Sequence, residues 1–208
     1  MNKRFKILGC VFCLIAVFGA ATFFGVRFSG TLKAEYPMYD NIHEMSSVAD
    51  LIVVGKVISS GDVQKLNVNK SKEKASDDDY IVYTVSEIEV DSVLMGDVEE
   101  GDILKVKQLG DYRMSPLSSL KRIDGYFEKD TTQLLFLKAF ETSPYSVVNV
   151  EQGAMRVNAD GTLYSKSEYA FFKSTSKNAT GFVTLQEAVV EIQEALAELK
   201  AAEVKCEE

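Results

Sequence analysis

The run ILGCVFCLIAVFGAATFFGV, Ile7 to Val26, is twenty residues long and carries no charge. A chain holding such a run has few ways to accommodate it. As a helix rising about 1.5 Å per residue it spans roughly 30 Å, the thickness of a bilayer's hydrocarbon core. Lys3, Arg4 and Lys6 stand before it, which favours an N-terminus held in the cytoplasm. The competing reading is a cleaved signal peptide, whose apolar region is usually about 7–15 residues long and ends in small residues. Cleavage after Ala34 would fit that reading, whereas length favours an uncleaved single-pass anchor. Residues 1–27 are then the anchor, residues 7–26 cross the cell membrane, and everything beyond is extracellular.

The exported part is strongly acidic. No acidic residue precedes Phe28, so all 31 are exported, while Lys3, Arg4, Lys6 and Arg27 are four of the 23 basic residues; 19 against 31 leaves a net charge of −12. Such a surface repels nucleic acid and anionic head groups, which excludes nucleic acid as a partner. Cys10 and Cys13 lie in the apolar run and only Cys206 is exported. No disulfide can therefore form within the exported part, although Cys206 could pair between chains. A hydrophobic core has to hold this part together.

Residues 28–48 lack periodicity and read as a tether. DLIVVGKVIS, Asp50 to Ser59, is rich in β-branched residues and predicts a largely buried strand. Ser60 to Asp79 is polar and charged and predicts a long solvated loop. The next strand, about Tyr80 to Leu94, has apolar Tyr83 and Val85 at odd positions but apolar Ile88 and Val90 at even ones. One face of a strand recurs every second residue, so this change of phase predicts a bulge near Ser86–Glu87 or a strand coiling around a barrel. GDVEEGD then closes a hairpin, Ile103 to Gly110 alternates as a third strand, and TTQLLFLKAF, Thr131 to Phe140, predicts a fourth covered on both faces. YSVVNV continues as strand or extended chain, and Asp160–Gly161 between two alternating runs signals a further hairpin.

The C-terminus changes period. Thr184 followed by Glu187 is a capping box, and Leu185, Val189, Ile192, Leu196 and Leu199 form an apolar stripe, predicting an amphipathic helix over residues 184–205. The stripe fits packing on the strands, with self-association through the helix as the other use. The fold class is mainly β: a five-stranded OB-like barrel over residues 49–175, with the C-terminal helix and the N-terminal transmembrane helix. The succession ADLIVVGKV, EIEVDSVLMG, GDILKVKQLG and TQLLFLK resembles uncharacterised secreted or membrane-anchored proteins of Gram-positive bacteria. It is also distantly similar to the netrin-like and metalloproteinase-inhibitor OB modules. That resemblance implies a fold and no activity, because those inhibitors act through a disulfide-linked N-terminal cysteine that has no counterpart here.

Few catalytic constellations can be built. His43 is the single histidine and lies in the tether, so a triad would require it to fold back onto the strands. One histidine and one exported cysteine make no zinc site unless carboxylates dominate the ligand set, and no G-x-S-x-G, Walker or G-x-G-x-x-G motif occurs. Glu87, Glu89 and Asp91 alternate on the second strand. Successive same-face positions are about 6.5–7 Å apart, too far for one cation without help from loop carboxylates. The favoured reading is an exposed face kept charged against edge-to-edge pairing. Tyr80, Tyr83, Tyr112, Tyr126 and Phe127 are candidates for an OB-style groove, or for the core. The candidate ligand-binding residues are thus Glu87, Glu89, Asp91, Tyr83 and Tyr112, with no catalytic residue, metal or cofactor assigned. The function this supports is binding of an envelope component, non-enzymatic, with a metal- or carboxylate-dependent cell-wall hydrolase or a helix-mediated complex subunit as alternatives.

Overall fold

Asn41 is extended, and its side chain accepts a hydrogen bond from the Glu44 amide at 3.0 Å. Glu44 in turn accepts from the Asp40 amide at 3.0 Å. This reciprocal cap starts a helix, α1 (Ile42–Val48), inside the stretch read as tether. Ile42 and Met45 are buried on its inner side. The computed structural model describes residues 37–67, 80–111, 113, 126–164, 172 and 183–206. The run Ile7–Val26 lies outside them, and no helix among the described residues is long and apolar enough to cross a membrane.

Among the described residues seven strands follow: β1 (Leu51–Asn67), β2 (Tyr80–Met95), β3 (Ile103–Leu109), β4 (Thr132–Lys138), β5 (Tyr145–Val147), β6 (Ala154–Val157) and β7 (Leu163–Tyr164). They make one mainly antiparallel sheet in which β1, β2, β3, β5 and β4 form a ring, closed by β1 against β4 and by a parallel pairing of β3 with β5. β1 runs on to Asn67, so the predicted loop after Ser59 is strand for eight more residues, paired to β2. β5 and β6 share one edge of β4, joined by a turn in which Asn149 Oδ1 accepts the amides of Glu151 and Gln152.

Alternation sorts the apolar residues into two cores. Leu51, Val53, Val57, Ile88, Val90, Leu104, Val106, Leu135 and Leu137 fill the ring, with Phe127 from the β3–β4 connection. The opposite faces of the same strands, through Ile52, Val54, Leu134 and Phe136, pack against Met45 of α1 and against the C-terminal helix, α2 (Leu185–Cys206). β4 is therefore covered on both faces, as its composition predicts. Gly55 lies in the inward row of β1, where an added Cβ would come within 2.7 Å of Ile88 Cγ2 and of the Glu89 carbonyl. The two strands approach that closely because the position has no side chain.

The capping box forms: Thr184 donates backbone and hydroxyl hydrogens to Glu187 Oε2 at 2.9 Å each, and the Glu187 amide donates to Thr184 Oγ1 at 3.3 Å. The face of α2 that packs is turned towards Ala188, Ile192 and Ala195, all buried. Leu185 and Leu196 flank it, half-buried. Small side chains let the helix approach the sheet, which a stripe drawn from the larger apolar residues does not capture.

The phase change in β2 has a different cause from a bulge in β2 itself. Between Tyr83 and Glu89 the strand pairs with β3 without a break. The irregularity sits opposite, in β1, where Val57 to Asp62 spans what Ile88 to Val85 spans in β2. Further bulges fall between Val90 and Ser92 and between Val93 and Met95. Tyr83 and Val85 thus stay on the same outer face as Glu87 and Glu89. That face is apolar at one end and charged at the other.

Candidate functional site

β5 is only three residues long, and its pairing to β3 involves just Val106–Tyr145 and Lys107–Ser146. Beyond that short closure β3 and β6 have no ladder between them, and a cleft of about 160 Å³ opens there at the mouth of the ring. Its walls come from β3 (Gln108), β4 (Gln133), β6 (Ala154, Arg156), β7 (Tyr164) and the β3–β4 connection (Tyr126 to Glu128). Gln108 continues the inward row Leu104, Val106, and Gln133 continues the inward row Leu135, Leu137. At the mouth, two amides therefore replace the aliphatic side chains of the interior.

Each polar group of the cleft has a fixed position. Gln108 Oε1 accepts the Phe127 amide at 3.0 Å. Tyr126 donates its hydroxyl to the Leu109 carbonyl at 2.8 Å, and its oxygen lies where a Cβ on Gly110 (φ +97) would come within 2.7 Å. Gln133 is 6% exposed; its Nε2 donates to Thr131 Oγ1 at 3.0 Å, while its Oε1 accepts no hydrogen bond from a described residue. Thr131 passes its own proton to the Glu128 carbonyl at 2.6 Å. On the rim Arg156 Nη1 meets Glu128 Oε2 at 3.1 Å, so the carboxylate lining the cleft is neutralised in place. The amide oxygen of Gln133 is not among the buried unpaired side-chain atoms of the described residues, so it is within reach of solvent at the cleft wall and free to accept from a ligand.

The residues expected from sequence lie elsewhere. Glu87, Glu89 and Asp91 are on the outer side of β2, where Lys105 of β3 faces Glu87 and Lys56 of β1 faces Glu89 in register. Asp91 is the extra residue of the bulge between Val90 and Ser92. Burial and the neighbouring Glu89 push its carboxyl above the usual range, with Lys56 opposing. No group of three or more His, Cys, Asp or Glu among the described residues is placed to hold a metal ion. The charged face is a surface with cross-strand complementarity. Tyr112 lies outside the described residues. Of the five aromatics considered for a groove, Tyr126 and Phe127 line the cleft.

Tyr83 belongs to a second cluster on the outer face. The Lys107 ammonium lies 4.0 Å from the centre of the Phe140 ring and 5.4 Å from that of Tyr83, and donates to Ser143 Oγ at 2.6 Å. Burial pulls its pKa below the usual lysine value. His43, half-buried in α1, lines a hollow between the two helices with Glu44, Glu191, Glu194 and Glu198. It faces carboxylates there.

Gln108, Gln133, Arg156, Glu128 and Tyr164 were not singled out from sequence. The available signal was an amide at an inward position of two otherwise aliphatic strands, LKVKQ and TQLLFLK. No family model, curated protein or solved structure matches this chain.

Proposed function

We propose that this chain is a membrane-anchored, extracytoplasmic ligand-binding protein whose binding site is the cleft at the mouth of the strand ring. The observation that carries the reading is the pair of inward-row amides, Gln108 and Gln133, that line the cleft beside Tyr126, Phe127 and Tyr164, with Gln133 Oε1 accepting from no described residue. Barrel mouths are common places for small-molecule sites, and a few fixed polar groups among apolar walls are their usual composition. The finer architecture is an OB-like barrel; its support is the ring order β1-β2-β3-β5-β4 with β3 and β5 parallel. Support for the anchor is the uncharged run Ile7–Val26 behind Lys3, Arg4 and Lys6. The rival, a metal- or carboxylate-dependent hydrolase of the cell wall, has less support because Glu128 is held by Arg156 at 3.1 Å.

The test uses the full-length chain, immobilised in a non-glycosidic detergent and exposed to the solubilised envelope and small-molecule extract of its own cells. Retained compounds are read by mass spectrometry. The reading expects a compound held by the wild type and released by Gln133→Leu. Equal retention by both variants overturns the cleft as the site. Topology is read from Cys206, which an impermeant maleimide should label on intact cells; labelling only after lysis overturns the extracellular placement.

A further inference from the structure

Resting on the cleft as the binding site, we infer that its ligand is a neutral saccharide, one pyranose ring of which enters the mouth of the ring. Size is the first reason. The cleft's volume of about 160 Å³ lies below the roughly 300–1,000 Å³ of pockets that enclose drug-sized molecules. It admits a single ring or the end of a chain, and leaves the remainder outside.

Charge is the second reason. Arg156 and Glu128 pair at 3.1 Å on the rim, so a charged ligand meets no uncompensated partner there. An anion would in addition approach a chain whose formal net charge is −8. A cation would have to separate Glu128 from Arg156 and leave the guanidinium unpaired. A neutral ligand keeps the pair intact, and vicinal hydroxyls can use it as it stands, one donating to the carboxylate and one accepting from the guanidinium.

Surface chemistry is the third. The cleft combines an unpaired amide acceptor (Gln133 Oε1) and a threonine hydroxyl with Tyr126, Phe127 and Tyr164. A pyranose has the same two-sided character, hydroxyl donors around its edge and aliphatic C–H groups on its faces. Tyr164 is 54% exposed at the rim, where its ring can cover a sugar face left outside. A sugar hydroxyl can donate to Gln133 Oε1, which accepts from no described residue.

The experiment is a titration of the isotope-labelled full-length chain in a non-glycosidic detergent, followed by NMR at the Gln133 side-chain amide. The probes are glucose, N-acetylglucosamine, cellobiose and chitobiose, set against trilysine, triglutamate and inorganic phosphate. At least one saccharide should shift the Gln133 amide saturably, and none of the charged probes should. Retitration of Gln133→Leu, followed at the Gln108 amide, should show binding weakened by about tenfold or more. A saturable shift from a charged probe and from no saccharide overturns the saccharide class while leaving the cleft as a site. Silence from every saccharide overturns the class as well. The envelope-retention experiment with Gln133→Leu then decides separately whether the cleft binds anything.

Discussion

Lys107 Nζ lies 4.0 Å from the centre of the Phe140 ring, so the turn between β4 and β5 is pinned to the outer face of β3 by a cation over an aromatic face. Two opposed effects act on that ammonium. Burial disfavours the charged form, and the negative face of the ring favours it. Burial is the larger, since the Lys107 pKa is lowered. Phe140→Ala admits water and should move the pKa up towards the ordinary lysine value. Phe140→Leu keeps water out but removes the ring's negative face, and should move it further down. NMR titration of the Lys107 side chain in both variants checks the opposite signs. For stability, a native state that holds this proton less tightly than the unfolded chain gains stability as pH rises through the lowered pKa towards 10.5.

Asp91 has the opposite linkage. Its carboxyl is pushed above 3.8, first by burial and then by Glu89, so the native state binds its proton more tightly than the unfolded chain. The stabilising contribution is present below the unfolded value and lost as pH rises through the folded one. At neutral pH the charge is therefore a small burden, and Asp91→Asn should raise stability by about a few tenths of a kcal/mol for so exposed a group. The gain should vanish below the unfolded pKa, where both variants are uncharged. Urea midpoints at neutral and acidic pH test this; an unchanged gain at low pH would sink the electrostatic account.

Gly55 tests the closeness of β1 and β2. An added methyl meets the Ile88 side chain and the Glu89 carbonyl at 2.7 Å, one of them backbone. Overpacking of this kind costs about 1–3 kcal/mol, so Gly55→Ala should lower the denaturation midpoint accordingly. Ile88→Ala removes the Cγ2 that the new methyl meets, so Gly55→Ala should cost less in an Ile88→Ala background than in the wild type.

Much of the fold was legible because strand burial writes itself into alternation. LIVV and LLFL are apolar without alternation because each strand has a core on both sides, the ring interior and the helix layer. β2 was harder. Its apolar residues change phase with no bulge between Tyr83 and Glu89, because Tyr83 and Val85 share the outer face with Glu87 and Glu89 and only the cover over that face changes. A single strand's pattern cannot distinguish a kink from a change of what lies above it. α1 was missed although Asn41 and Glu44 form a reciprocal cap, since a helix of seven residues offers barely two turns of periodicity. The cleft was missed for a related reason. Gln108 and Gln133 are ordinary polar residues until the register makes them inward neighbours of leucine and valine.

Thr184 and Glu187 anchor the helix layer, and removing the cap should be felt beyond the helix end. Thr184→Ala deletes the acceptor for the Glu187 amide and the hydroxyl donor to Glu187 Oε2, a loss worth about 0.5–2 kcal/mol. The same end of α2 is stitched to the β6–β7 hairpin, for the Leu163 amide donates to Val183 at 2.7 Å and the Leu185 amide to Gly161 at 2.9 Å. Fraying therefore loosens Tyr164 on the rim of the cleft as well as Ala188 and Ile192 on the outer core. Hydrogen exchange at the Ala188 amide, which donates to the Thr184 carbonyl at 3.0 Å, reports the helix end directly. It should quicken about twofold to thirtyfold if opening of the end follows the lost cap energy. Glu187→Gln keeps an oxygen for the Thr184 amide and should show a smaller effect. Acceleration in Glu187→Gln with none in Thr184→Ala would mean that charge at the helix N-terminus, rather than the reciprocal hydrogen bonds, holds α2 in place.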